Sequence, residues 1–219
     1  MINSASLFNL NYADFSNELE QLVCGGVEFF HVDLIDGHYA ANLGLPLRMI
    51  PDIKAKYPDI VMDVHIMVDN PLDYVDRLKA GGADYVCFHT DSTNFTVRCI
   101  NNIHSAGMKA GIVINPSQRL DSMDPYLDMV DMVLYMAVEP GFAGQAFLPG
   151  SMERIEEICK MREARGLNFL ISIDGGIDYE KAVKCKAMGV DVIVGTRHNI
   201  FDQPDGIEAA CRRFNRDFG

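Results

Sequence analysis

Eight short apolar runs recur along the chain, each followed by a longer stretch in which apolar residues return every three or four positions. The runs ASLF, GVEFFHVDLI, IVMDVHIMV, DYVCFHT, KAGIVIN, DMVLYMAV, NFLISID and VDVIVGT are rich in Val, Ile and Phe, which predicts strands. The stretches between them predict helices over Asp14 to Cys24, Leu45 to Tyr57, Pro71 to Ala80, Thr93 to Ala106, Ser151 to Arg165, Tyr179 to Met188 and Asp205 to Phe214, with only a weak turn near Leu120 to Leu127. Strand followed by helix, repeated, implies parallel pairing with right-handed crossovers. Three joints, AGGADYV, SAGMKAGI and AMGVDVIV, place glycine just past a helix, where it serves as a left-handed cap before the next strand. Such short joints, and the lack of a Pro/Ser-rich linker, favour an α/β fold with a single (β/α)8 TIM barrel as one domain over residues 1–219. The competing fold is an open doubly wound sheet, and no GxGxxG follows the first strand to support it.

With 219 residues, 48% of them hydrophobic, the chain can bury a sizeable core, which excludes a disordered or low-complexity protein. Lys and Arg number 19 against 31 Asp and Glu, a net charge of -12. That charge repels polyphosphate backbones and anionic membranes, so neither nucleic acid nor a membrane is expected as a partner. A phosphorylated ligand would need a locally positive pocket or a cation. The six cysteines are scattered singly, a pattern expected of reduced thiols in a cytoplasmic protein. No basic leader and no run of about 18 apolar residues is present.

Barrels of this type keep their chemistry at the C-terminal ends of the strands. Because side chains alternate along a strand, FFHVDLI sets His31 and Asp33 on one face and DVHIMV sets His65 and Met67 on one face, with Asp63 a layer deeper. ISIDGG turns Ser172 and Asp174 inward and Ile171 and Ile173 toward the helices. Two carboxylates buried together repel unless a cation separates them. Two His and two Asp suit one divalent ion, Zn²⁺, Mn²⁺ or Fe²⁺. Any one of the four, taken singly, reads more readily as a hydrogen-bonded interior polar group; their convergence reverses this and favours the ion. A second signal is glycine at the ends of the last three strands: PGFAGQ, DGG and VGT. Glycine admits backbone N–H groups close to an anion, and the last two strands of such barrels commonly hold phosphate. An ion and a phosphate cradle at one mouth suggest a small phosphorylated sugar, its carbonyl polarised by the metal while each Asp exchanges a proton with the adjacent carbon.

The ordered set HVDLIDGH, DVHIMV, PGFAGQAF and IDGG resembles the ribulose-phosphate 3-epimerase family of metal-dependent (β/α)8 barrels, across essentially the whole chain. The resemblance implies that His31, Asp33, His65 and Asp174 are metal ligands, with Asp33 and Asp174 doubling as acid and base. It implies substrate contacts from Ser6 and phosphate loops formed by Gly141, Phe142, Ala143, Gly144, Gly175, Gly176, Gly195 and Thr196. It further implies a ketose-phosphate 3-epimerase passing through a cis-enediolate, and a homo-oligomer. SLFNLNYADF and REARGLNFLISIDGG look more like the branch acting on D-allulose 6-phosphate than the D-ribulose 5-phosphate branch. Departures from the family pattern are Ile35, Ala40, Ala41, Glu139, Arg197 and His198; the first three shape the pocket mouth and bear on substrate more than on reaction type. Arg197 has the geometry to grip a phosphate bidentately; the competing reading is a solvated arginine paired with Glu139. His38 and His89 read as second-rank or structural histidines. Met67 and Met136, at strand ends, are expected to wall the pocket, whereas Met49, Met62, Met129 and Met132 read as core filler. Two other functions compete: a sugar-phosphate decarboxylase or aldolase, which would place a lysine where His65 stands, and a non-catalytic sugar-phosphate binder, which would have no need of both Asp33 and Asp174.

Overall fold

Parallel pairing carries each strand to the next and then joins the last to the first, so the ring closes as the alternating pattern predicts. A computed structural model describes all residues, Met1 to Gly219. The order is β1 (Ile2–Ser6), α1 (Phe15–Cys24), β2 (Phe29–Ile35), α2 (Met49–Lys56), β3 (Val61–Met67), α3 (Val75–Gly81), β4 (Tyr85–His89) and α4 (Thr96–Ser105). It continues with β5 (Lys109–Ile114), β6 (Met132–Met136), α5 (Ser151–Arg165), β7 (Leu170–Asp174), α6 (Tyr179–Met188), β8 (Val192–Gly195) and α7 (Ile207–Phe218). The open-sheet alternative is thereby excluded.

Strand alternation divides the core in two. Outward residues such as Phe30, Val32, Ile66, Ile171 and Ile173 pack under the helices in one large apolar layer. Inward residues Phe29, Tyr85, Val113, Met132, Leu134, Val192 and Val194 fill the lower barrel. Register matches inward positions across neighbouring strands: Asp33 stands beside His65, and Met136 beside Asp174. The upper barrel is therefore polar and the lower barrel apolar, which confines chemistry to one end.

Several boundaries differ from the sequence pattern, the clearest of them for local reasons. β1 starts at Ile2, not Ala5, and ends at Ser6; its inward positions Ser4 and Ser6 are polar and hide the alternation. α2 starts at Met49, because residues 36–45 fold back on β2, with Leu45 N–H donating to the Asp33 carbonyl at 2.8 Å. The expected weak turn before β6 is a 3₁₀ segment, Leu120–Met123, so this crossover lacks an α-helix. α7 runs on to Phe218, which is buried together with Phe214. Gly82, Gly107 and Gly189 adopt positive φ, as their positions after helices require. No helix is long and apolar enough to cross a membrane.

Candidate active site

The ends of β2, β3 and β7 bring His31, Asp33, His65 and Asp174 together, with one ligand atom from each lying within 4.8 Å of the others. His31 is fully buried, and its Nδ1 sits 2.7 Å from Asp63 Oδ2 one layer below. The carboxylate can only accept, so Nδ1 carries a proton and Nε2 faces the cluster. That Nε2 lies 3.3 Å from Asp33 Oδ1 and 4.0 Å from Asp174 Oδ2, yet makes no hydrogen bond. A buried imidazole nitrogen facing two carboxylates and a second imidazole completes the donor set of a divalent-ion site once its proton is displaced, and these four residues fit one.

The electrostatics agree. Burial alone would raise Asp33, but His31 and His65 beside it hold its carboxyl well below the usual range. Asp33 also accepts from Ser6 Oγ at 2.9 Å and lies 3.2 Å from His65 Nδ1. Asp174 lacks such donors; burial raises it to about 6, and the charge of Asp33 works in the same direction. Burial opposes charge on His31, but Asp33 and Asp63 more than reverse this and lift it well above its ordinary value. A proton held among these groups fills the electrostatic place that a cation would take. Burial, reinforced by His65, keeps His89 neutral, and His89 Nε2 stands 2.8 Å from His65 Nε2.

Above this cluster a cavity is lined by Ser6, Asp33, Met67, Met136, Gly141, Phe142, Ala143, Gly144, Asp174, Gly175, Gly176 and Thr196. The structure thus gathers most of the residues singled out in the sequence. Thr196 is buried at the start of the turn that follows β8, where its side chain takes part in capping that turn. Gly176, at φ +62°, is irreplaceable for close approach: an added Cβ would fall 2.5 Å from Phe147 N. Gly195 does not line the cavity; a Cβ there would meet Ile200 Cδ1 at 2.1 Å, so this glycine seats the following turn. Arg197 is not brought to the cavity either. Its side chain is 58% exposed with Nη1 3.9 Å from Asp202 Oδ2, so its partner is Asp202 and not Glu139. The neighbouring His198 lines the cavity in its stead, on a π-helical turn over Arg197–Phe201. Phe8, Asn9, Ile35, Val138, Glu139 and Gln145 complete the lining. Phe8 and Asn9 carry no site signal in the sequence, because the run ASLF extends the expected strand to Phe8, whereas β1 ends at Ser6 and a 3₁₀ turn over Leu7–Asn9 follows. His38 lies exposed on the loop after β2, away from the cluster.

Comparison with known proteins agrees with the motifs. A model of the ribulose-phosphate 3 epimerase family matches residues 2–201. A ribulose-phosphate 3-epimerase of Methanocaldococcus jannaschii is 34% identical, covering 98% of this chain and 93% of its own, and one of Mycobacterium bovis is 37% identical, covering 92% and 88%. A chloroplastic ribulose-5-phosphate-3-epimerase of Arabidopsis thaliana is 35% identical over 89% of this chain and 69% of its own. Among solved structures, 3-hexulose-6-phosphate synthase from Salmonella typhimurium superposes with a TM-score of 0.76 at 19% identity, covering 100% of both chains, a likeness of fold alone. With its motifs, its barrel and relatives of this identity in agreement, the chain belongs to the ribulose-phosphate 3-epimerase family of isomerases acting on sugar phosphates.

Proposed function

We propose that residues 1–219 form one catalytic domain that inverts C3 of a small ketose phosphate, D-ribulose 5-phosphate or D-allulose 6-phosphate, using Asp33 and Asp174 as the two acid/base groups. The observation that carries this is geometric: Asp33 from β2 and Asp174 from β7 stand together on the floor of one cavity. Asp33 accepts the C3 proton from one face; the C–H electrons move into the C2 carbonyl and give a cis-enediolate. Asp174 returns a proton to C3 on the other face as the carbonyl reforms. No net proton is consumed, and in the reverse direction the two exchange roles. A single fixed carboxylate could not readily serve both faces.

His31, Asp33, His65 and Asp174 would hold one divalent ion, Zn²⁺, Mn²⁺ or Fe²⁺, which when bound polarises the carbonyl and offsets the charge developing on the enediolate oxygens. The backbone at Gly144 and Gly176, with Thr196 beside them on the cavity wall, would receive the phosphate, while Met67 and Met136 exclude water at the reacting carbon. The names of the relatives favour the pentulose; the opening SLFNLNYADF favours the hexulose. Six unpaired thiols suit a reducing, cytoplasmic setting. Family likeness supports a homo-oligomer, which sedimentation would test. The deciding experiment incubates zinc- or manganese-loaded protein with each ketose phosphate in deuterated water and follows C3 by NMR. Inversion with deuterium entry is expected for one of the two; neither inversion nor exchange in both would overturn the proposal.

A further inference from the structure

Asp63 is accounted for by the proton it holds on His31, but a second run of buried polar groups stands behind His65. His89 ends β4 fully buried, with its Nε2 2.8 Å from His65 Nε2. Of two facing imidazole nitrogens at that distance, one must carry the hydrogen. If His65 offers Nδ1 to an ion, its proton sits on Nε2 and His89 Nε2 accepts it. The proton of His89 is then on Nδ1, a buried atom without a partner. The amide of Asn115 stands beside that ring, and its Oδ1 is likewise buried without a partner. A leftover donor and a leftover acceptor side by side complete each other after a small shift.

The far end fixes the orientation of the amide. Asn115 Nδ2 donates to Asp91 Oδ2 at 3.0 Å and to Tyr39 Oη at 2.6 Å. Asp91 can only accept, so the NH₂ end must face it and Oδ1 must face His89. Tyr39 Oη donates to Asp91 Oδ1 at 2.9 Å, and its ring stacks on His89 with centroids 4.5 Å apart. Every hydrogen bond then runs in one sense, from His65 through His89 and Asn115 to a carboxylate at the barrel mouth. The opposite tautomer would set two acceptors, His89 Nδ1 and Asn115 Oδ1, against each other and place the His65 Nδ1 hydrogen where the ion should be.

We infer, on the metal-site reading above, that His89 is a positioning residue which, anchored by Asn115, Tyr39 and Asp91, holds His65 in the tautomer that turns its Nδ1 lone pair toward the ion. Bonds aligned in one sense polarise one another, and such outer partners raise the basicity of a ligating imidazole. Long-range ¹⁵N–¹H correlation NMR on zinc-loaded protein should find the proton on Nε2 of His65 and on Nδ1 of His89. His89→Leu should lose zinc affinity by about 10- to 100-fold in competition with a chelator, while His89→Gln, whose Oε1 accepts the same proton, keeps most of it. A wild-type chain that binds no divalent ion removes the metal-site reading and this inference together. Zinc bound with the His65 proton on Nδ1, or a folded His89→Leu protein with wild-type zinc affinity, overturns this inference alone. Should His89→Leu not fold by circular dichroism, the wild-type proton positions decide the matter.

Discussion

Asp33 and Asp174 are the same side chain in two settings, and the difference is measurable without turnover. In the metal-free chain Asp174 titrates near 6, against about 3.9 when unfolded. Between those values the folded state binds more protons than the unfolded state, so stability falls as pH rises through this window, and the full penalty stands above pH 6. Asp174→Asn removes that penalty. The metal-free variant should therefore melt above metal-free wild type at pH 7.5, by on the order of 1–3 kcal/mol, with the gap closing as pH falls toward 4. Saturating divalent ion should reverse the order, because only wild type keeps all four ligands. A metal-free variant melting below wild type at pH 7.5 would contradict the raised setting of Asp174. In activity, Asp33→Asn and Asp174→Asn should each lose net epimerisation by at least about 10²- to 10⁴-fold, read alongside metal content; a metal-replete Asp174→Asn protein at wild-type rate would reduce Asp174 to a ligand. At this scale the convergence of the four candidate ligands is legible, since alternation along β2, β3 and β7 fixes which residues turn inward. Tyr39, Asp91 and Asn115 are not, because they come from three separate loops whose meeting no periodicity records.

β8 and the turn after it show how one element places another. The chain leaves β8 at Gly195 and passes into the π-helical turn Arg197–Phe201, whose Ile200 is buried against the glycine. Asn199 Oδ1 accepts from Thr196 N–H at 2.8 Å and ties the turn to its own start. Single π-helical turns are frequent at functional sites, and this one carries His198 to the cavity. Gly195→Ala should push the turn outward and raise KM for the phosphorylated ketose more than it lowers kcat. Ile200→Val deletes Cδ1, the atom an alanine Cβ would strike, so the double variant should recover part of the loss, a coupling of roughly 0.5–3 kcal/mol. Steady-state kinetics on the four proteins would check this, and simple addition of the two losses would reject it. Helices and strands were legible here by type and order, because the change of period from two to 3.6 survives any cavity residue. The start of β1 was not, since inward serines break the alternation, nor was the replacement of a helix by Leu120–Met123, where buried Leu120 and Met123 cover the sheet without completing an amphipathic helix.

For the whole molecule, a net charge of -12 opposes the approach of any sugar phosphate before the cradle can act. Raising ionic strength from about 0.01 to about 0.15 M shortens the screening length from roughly 30 to roughly 8 Å, so apparent KM for the phosphorylated ketose should fall while that of an uncharged analogue stays level. Kinetics in an inert salt at fixed metal would test it; a KM that climbs with salt would mean that the mouth is locally positive. The crossover between β5 and β6, spanned by a 3₁₀ segment and turns, has a different consequence. Local opening begins where the fewest apolar contacts guard the backbone, and this is the one strand-to-strand passage without a helical buttress. Amide hydrogen exchange should therefore be fastest along this sector of the ring. The four candidate ligands stand on β2, β3 and β7, joined through β1 and β8 along the opposite arc. The barrel can thus open first at its thin wall, the site feeling that motion through Met136 of β6, which pairs with Asp174, and through Asn115, which follows β5 and stands beside His89.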